Sequence, residues 1–478
     1  MSTPDRTFHH ARTKILATLG PASSSKDIIA ELFEAGVDVF RLNFSHGDHT
    51  THKNNVEIIR TLEKTTNRPI GILADMQGPK IRIGTFANGS IELTKGQTMR
   101  FDLDETPGDE TRVNMPHPEV LKVLEEGSRI FLDDGKVRVL VTKTGADFVE
   151  GEIQSGETLS DKKGLNVPGA LIPIPALTEK DKIDLEAALE MGADWIAQSF
   201  VQTPQDVQEA QDLIKGRAAL MVKLEKPSAL EYLDEIINLA DGVMIARGDL
   251  GVEIPPEKVP AAQKRVIRKC REIGKPVVVA TQMLESMITN ARPTRAEASD
   301  VATAVYDGTD AVMLSAETAA GDYPLRSVQI MNRICRETEA DEIYSEMMES
   351  SHPDTLSEAA DAISTAAYYV AQDVNAAAIV TYTTSGSTAL RMARQRPEVP
   401  VLCMTPKLEV ARKLALSYGV NAVHEPKLEG DFTGAVPLAS KILQDQKIAL
   451  KGDKFVMTAG VPFGTPGSTN LLRIAEVE

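Results

Sequence analysis

Short apolar runs of strand length alternate with segments of helical period along most of this chain. KILATLG, VDVFRLNFS and IGILADM come first, with KDIIAELFEAG and HKNNVEIIRTLEKT between them. After an interruption the rhythm resumes through DKIDLEAALEMG, DWIAQSFV, PQDVQEAQDLI, AALMVKLE, ALEYLDEIINLA and GVMIARG. It closes with VPAAQKRVIRKCREIG, VVVATQM, RAEASDVATAVYDG, AVMLSAET and LRSVQIMNRICRETE. The helical segments carry apolar residues at i, i+3, i+4 spacing. The strands are continuous apolar runs, as a parallel sheet buried on both faces requires. Eight such units predict an α/β fold with a closed (β/α)₈ barrel; a doubly wound open sheet is the alternative.

The interruption, residues 80–172, has a different grammar. FANGSIELTKGQTMRFDLDE, RIFLDDGKVRVLVTKTG and DFVEGEIQSGETLS alternate apolar with polar positions and are punctuated by Gly and Asp-Gly. That pattern predicts hairpins, hence a small all-β domain inserted after the third barrel strand, at the catalytic face and able to close as a lid. The barrel then comprises residues 1–79 and 173–345. The polar stretch MMESSHPDTLSE reads as a linker, and AAAIVTYT, VPVLCMT, AVHEP and KFVMTAG alternate with helices to give an open α/β domain over 346–478.

Composition narrows the function classes. A chain of 478 residues with 52 Lys and Arg against 69 Asp and Glu has a net charge of −17, which argues against nucleic-acid and anionic-membrane partners. An anionic substrate must therefore be met by locally clustered cations. The three cysteines, Cys270, Cys335 and Cys403, lack CxxC spacing and read as reduced thiols of a cytoplasmic protein. MSTPDRTFHHARTK has no apolar signal-like run, and no segment approaches membrane-spanning length.

The chemistry concentrates where strands end. MVKLEK sets Lys223 and Glu225 at one strand end, and GVMIARGDLG sets Arg247 and Asp249 at the next, after a tight Gly. Two acids and a lysine at neighbouring strand ends suit a divalent cation beside a transferring anionic group; ordinary polar strand ends are the bland alternative. VFRLNFSHG brings out Arg41, Asn43, Ser45 and His46, with Arg suited to phosphate and Asn and Ser to a monovalent cation. Ser45 or Asp48 could equally be a helix N-cap. His46, His49 and His52 fit no common metal-ligand spacing. ADMQGPKIRIG ends the third strand at Asp75, with Lys80 and Arg82 behind it. Thr281 in ATQMLESM, with Ser315 and Glu317 in LSAET, could form a hydroxyl–hydroxyl–carboxylate proton relay, though capping residues look similar. In TYTTSGSTALRMARQR a strand enters a Thr/Ser/Gly turn that opens a helix, either a phosphate cradle or an ordinary capped helix. GVPFGTPGSTN could face it. Neither a GxxxxGK[ST] nor a GxGxxG followed by an acid is present.

From about Arg12 to Arg473 the chain resembles the pyruvate kinases. The resemblance rests on RLNFSHG, KLEK with ARGDLGVEIP, VATQMLESM with ARPTRAEASDVATAV, AVMLSAETAAGDYP, KKGLNVPG and GVPFGTPGSTN, in that family's order and spacing. Ala316 stands where the family usually has Gly, and Lys80 where many members have Glu. The resemblance implies a TIM barrel with inserted lid and C-terminal regulatory domain, and phosphoryl transfer from phosphoenolpyruvate to ADP. It implies Glu225 and Asp249 as ligands of Mg²⁺ or Mn²⁺, Lys223 on the phosphoryl in flight, and Arg41 and Arg82 on phosphate oxygens. The backbone N–H groups of Gly248 and Asp249 would bind the carboxylate. Thr281 would stand beside the enolate carbon, with Ser315 and Glu317 in the relay. Asn43, His46, Arg82 and Lys163 fall on the nucleotide side, and a second divalent ion arrives with ADP.

Asn43, Ser45, Asp75 and the carbonyl of Met76 match a monovalent-cation site. With Lys80, and with Gln77 and Ile83, the chain resembles the K⁺-independent branch, so K⁺ is expected not to be required. Thr383, Thr384, Ser385, Gly386, Ser387 and Thr388 match an effector phosphate pocket for a small phosphorylated metabolite. A homotetramer is the family's assembly. A metal-dependent lyase or mutase would not need Arg41, Arg82 and a nucleotide-facing lid, and a non-catalytic sensor would not need Lys223, Glu225, Asp249 and Thr281 together.

Overall fold

A computed structural model of the chain describes residues 11–426, 432–461 and 469–478. Eight parallel strands close into a barrel: β1 (Lys14–Leu19), β2 (Val39–Asn43), β3 (Gly71–Asp75), β4 (Trp195–Gln198), β5 (Ala219–Leu224), β6 (Gly242–Ala246), β7 (Val277–Ala280) and β8 (Ala311–Leu314). β1 pairs with both β2 and β8, with Lys14 opposite Ala311, which seals the ring. Each strand sends one face inward, where Leu16, Val39, Leu73, Met221, Met244 and Val278 form a packed interior. The other face meets the helices, so continuous apolar runs are what the geometry demands. The open-sheet alternative is excluded by closure.

The insertion is an all-β body with its own core, including Met99, Phe101, Ile130, Val139 and Ile153. Arg129–Leu132 and Val137–Thr144 form an antiparallel hairpin across the predicted Asp-Gly turn, where Asp133, Asp134 and Gly135 have φ of 49°, 56° and 83°. Thr98–Asp102 pairs parallel with Arg112–Asn114, and a short helix, Pro118–Val123, was outside the hairpin expectation. Phe200, just beyond β4, packs into this insert core rather than the barrel core.

Helix Glu342–Ser350 occupies the start of the stretch expected to be a linker, with Tyr344 and Met348 buried on the barrel core. Its polar letters are one exposed helix face, and chain without regular structure begins at Ser351. Among the described residues the C-terminal sheet has four parallel strands, with Val420–His424 at one edge, plus an antiparallel edge strand, Thr469–Glu476, that sequence reading did not separate from the tail. This domain sits at the N-terminal end of the barrel. Leu416 enters the barrel interior, Tyr418 joins the outer core, and Trp195 Nε1 donates to the carbonyl of Lys413 at 3.3 Å. The opposite, C-terminal end of the barrel is left to the lid. Among the described residues no helix is long and apolar enough to cross a membrane.

Candidate active site

At the C-terminal end of the barrel, Asp75, Lys223 and Glu225 converge from β3 and β5. Lys223 Nζ lies 2.9 Å from Glu225 Oε1, 3.3 Å from Asp75 Oδ1 and 2.8 Å from Ser199 Oγ. The ammonium is thus shared among two carboxylates and a hydroxyl. Burial alone would push the ammonium down, but Asp75 and Glu225 outweigh it and hold Lys223 well above the usual lysine range. Burial would likewise raise Asp75, which is 1% exposed, yet Lys223 and Arg41 keep its carboxyl low. Arg41 Nε donates to Asp75 Oδ2 at 2.7 Å and Nη1 to Thr18 Oγ1 at 3.0 Å, and Nη2 has no protein partner among the described residues.

Glu225 Oε2 accepts from the backbone N–H of Phe200 at 2.9 Å. Asp249 faces the cleft beside it. Surrounding protein, together with the like charge of Glu225, pushes its carboxyl up to about 6 against the pull of Lys223. The expected tight Gly turn is absent here: Arg247–Glu253 is a short helix, because β6 runs directly into it and Gly248 keeps a negative φ. Arg247 points away from the acids, with Nη1 and Nη2 each 2.7 Å from the Asp300 carboxylate, and serves as a clamp. Two hard-oxygen carboxylates, with the charge of Glu225 raising the proton affinity of Asp249, fit a divalent ion such as Mg²⁺ or Mn²⁺. Among the described residues no cluster of three or more His, Cys, Asp or Glu side chains could cage a metal. An ion here would complete its shell with substrate oxygens and water.

Thr281 lies over the same end. Its φ of +68° and that of Gln282, +55°, are unusual for residues with a side chain, and most so for a β-branched one. The strain aims Thr281 Oγ1 at the N–H of Gly248, 2.7 Å away, while the hydroxyl donates to the carbonyl of Ala280 at 2.6 Å. Ser315 and Glu317 are near, but no hydrogen bond joins the three side chains among the described residues. Glu317 instead braces backbone, accepting from Ser315 N at 2.7 Å and Leu284 N at 3.2 Å, and burial raises its carboxyl. The connected relay expected from sequence is not formed in this arrangement.

The remaining candidates divide by element. Asn43 Oδ1 accepts from Ser45 N at 3.1 Å, the Met76 carbonyl accepts from Ser199 Oγ at 2.7 Å, and Lys180 Nζ donates to the Phe44 carbonyl between them at 3.0 Å. Lys80 is exposed at the lid hinge with no ion pair among the described residues. Partial burial, then Arg82, Lys180 and Lys223, lower its ammonium, so it feels the site's cations. Arg82 and Lys163 are engaged within the lid, Arg82 on the carbonyl of Lys162 at 2.8 Å and Lys163 on Asp133 at 2.9 Å. Asp48, not Ser45, caps the helix His49–Thr66. His46 is exposed, His49 pairs with Asp184 at 2.8 Å, and His52 stacks on Phe44, so the three histidines go to separate partners. Sequence reading missed Ser199, which fixes Lys223 and the Met76 carbonyl at once; its signal was a polar pair, Gln198-Ser199, ending an apolar strand.

In the C-terminal domain, Gly386 has φ +91° and its N–H donates to Thr383 Oγ1 at 2.9 Å. Thr388 Oγ1 bonds Thr469 Oγ1 at 2.7 Å, leaving Thr384, Ser385 and Ser387 around the helix start. The loop expected to face them, GVPFGTPGSTN, lies outside the described residues over 462–468, as does the N-terminal stretch 1–10.

The family description "Pyruvate kinase, barrel domain" matches residues 10–328, and "Pyruvate kinase, alpha/beta domain" matches 361–475. A pyruvate kinase of Methylorubrum extorquens is 50% identical over 98% of this chain and 97% of its own length. One from Agrobacterium vitis is 47% identical over 98% and 97%. The crystal structure of a pyruvate kinase from Cryptosporidium parvum superposes with a TM-score of 0.93 at 34% identity, covering 100% of both chains. The barrel with its cation-and-carboxylate cluster under a lid, and full-length similarity at this level, place the chain in the pyruvate kinase family of phosphotransferases.

Proposed function

We propose that the chain transfers the phosphoryl group of phosphoenolpyruvate to ADP, yielding pyruvate and ATP, as a cytoplasmic step of glycolysis. The observation that carries this reading is the fixed Lys223 ammonium between Asp75 and Glu225, with Asp249 beside it at the same barrel end. Both reactants are polyanions, so preorganised positive charge does most of the catalytic stabilisation. Lys223 stays charged through neutral pH and meets the phosphoryl group, and the unpartnered Nη2 of Arg41 reaches its oxygens. Glu225 and Asp249 hold the divalent ion, which when bound stabilises charge on the phosphoryl and enolate oxygens.

The substrate carboxylate takes the N–H groups of Gly248 and Asp249. In doing so it replaces the Thr281 hydroxyl on Gly248 and frees Thr281 to face the enolate carbon and hold the proton it receives. Ser315 supports that step by position, on backbone braced by Glu317. Lid closure turns Arg82 and Lys163 toward the nucleotide, with Asn43 and His46 on the same side and a second divalent ion accompanying ADP. Catalysis without K⁺ is supported by the internal bonds already made by Asn43 and the Met76 carbonyl, and by the ammonium groups of Lys80 and Lys180 around them. The turn Thr383–Thr388 contains no Lys or Arg, which favours one phosphate of a sugar monophosphate or AMP over fructose 1,6-bisphosphate. The assembly is a homotetramer. The deciding experiment is to mix the protein with phosphoenolpyruvate, ADP and Mg²⁺ and measure pyruvate and ATP; failure to form both in equal amounts removes the reading.

A further inference from the structure

At the seam between the N-terminal end of the barrel and the C-terminal domain lies a cavity of about 10 Å³, space for one water-sized sphere. Arg271, Lys275, Arg394 and Arg396 line it, against one lining carboxylate, Asp310. Asp310 is already paired with Arg396 Nη2 at 3.1 Å, and Arg394 with Asp361 at 3.0 Å. Lys275 donates to the carbonyl of Ala240 at 2.5 Å. Arg271 is different. It is 5% exposed, has no carboxylate within ion-pair distance among the described residues, and makes one side-chain bond, to Ser351 Oγ at 3.1 Å.

Its Nε and Nη2 are buried without a partner among the described residues, as are the Nε atoms of Arg394 and Arg396. Burial, then the like charge of Arg396, push the Arg271 guanidinium down to about 10, which still leaves it charged at neutral pH. Two helices, Val259–Ile273 and Ser387–Arg394, end at this seam, and their negative ends favour cations there. Half-charges at helix ends do not neutralise a buried guanidinium, and a water molecule supplies lone pairs but no charge.

We infer that this cavity binds one small monovalent anion, chloride in ordinary salt solution, as counter-ion to Arg271. The size of the cavity selects a monatomic ion over a tetrahedral oxyanion. The bound anion joins a barrel helix to the C-terminal helix whose other end carries the Thr383–Thr388 turn, so it pins the two domains at their seam.

Bromide tests the site directly, being an anomalous scatterer close to chloride in size. Crystals of the full chain soaked in sodium bromide are expected to show a peak within hydrogen-bond distance of the Arg271 guanidinium. In solution, thermal unfolding in chloride or bromide should show a midpoint a few degrees above that in gluconate at equal ionic strength, with a saturable dependence on halide. Arg271→Met should abolish the difference, and Arg271→Gln, which can keep the Ser351 bond, covers the case in which the first variant does not fold. No bromide peak at the cavity overturns the proposal. A peak without any halide-specific stabilisation of the wild type, or a full halide response in a folded Arg271 variant, overturns the counter-ion role.

Discussion

Lys223 holds its place through three neighbours, so its removal tests chemistry and packing together. Lys223→Met is expected to lower turnover by roughly 10²- to 10³-fold or more, the range for losing one preorganised electrostatic group, while the fold persists. Near-normal turnover would take Lys223 out of the mechanism. Asp249 makes a pH prediction. Its carboxyl is raised to about 6, so the folded chain holds a proton there that the unfolded chain has lost above the ordinary carboxylate range. A divalent ion must displace that proton. Mn²⁺ affinity, followed by the paramagnetic signal of the free ion, should be full above about pH 6 and fall as pH drops through it. Metal-free stability runs the other way and declines as pH rises through the same window. An Mn²⁺ affinity flat from pH 5 to 7 contradicts this assignment. At Lys80 the expectation is full activity in K⁺-free buffer with a bulky organic counter-cation. Lys80→Glu should lose most of that activity and regain part of it on adding KCl at fixed ionic strength; strong K⁺ activation of the wild type would defeat the idea.

Between elements, the lid rests on the barrel through a short polar chain. Asn166 Nδ2 donates to Glu253 Oε1 at 2.7 Å, and the same oxygen pairs with Lys226 Nζ at 2.5 Å, with Lys226 lying over the Phe200 ring. Phe200, at φ +61°, then carries the contact to Glu225 through its N–H. The Lys226–Glu253 pair is buried, so Glu253→Ala should destabilise the protein by about 3–5 kcal/mol in denaturant titration, the cost of stranding a buried charge. Asn166→Ala removes one hydrogen bond to a charged group, roughly 1.5–3 kcal/mol, and its effect should fall on the lid: faster exchange of lid amides and a raised KM, with global stability little changed. Equal global destabilisation by both variants would deny the lid this separate tether. None of this chain was readable beforehand. Phe200 and Asn166 are ordinary letters in their segments, and their partners are separated from them by 25 and 87 residues.

Over the whole molecule, the lid and the C-terminal domain occupy opposite ends of one barrel. An effector held at Thr383–Thr388 must therefore act through the barrel or through subunit contacts. Replacing both Thr384 and Ser387 by Glu is expected to erase activation by a sugar monophosphate or AMP while leaving maximal activity unchanged; a double variant that still responds moves the effector elsewhere. The contact that seats the domain is extensive. Glu63 binds Arg412, with Nε at 2.9 Å, and also accepts from the N–H of Ile70, while Leu416 closes the bottom of the barrel interior.

The alternation of apolar runs and amphipathic helices determined the eight strands, the inserted β domain and the α/β class, because period and continuity are local consequences of which faces are buried. Strand-end chemistry identified Lys223, Glu225, Asp249 and Asp75, because an unpaired charge is costly in a strand interior, and Thr281 as a polar residue at a strand end; Arg41 is the middle residue of β2 and is accommodated there by Asp75 and Thr18. Tertiary structure decided what those groups touch. It made Lys223 a shared partner of two carboxylates and Ser199, turned Arg247 away to Asp300, placed Glu317 on backbone instead of in a relay, and set the Thr281 hydroxyl on Gly248. It also buried Arg271 at the domain seam without a carboxylate partner among the described residues. Those outcomes depend on distances between groups far apart along the chain and on strained backbone such as Thr281, which no local pattern encodes.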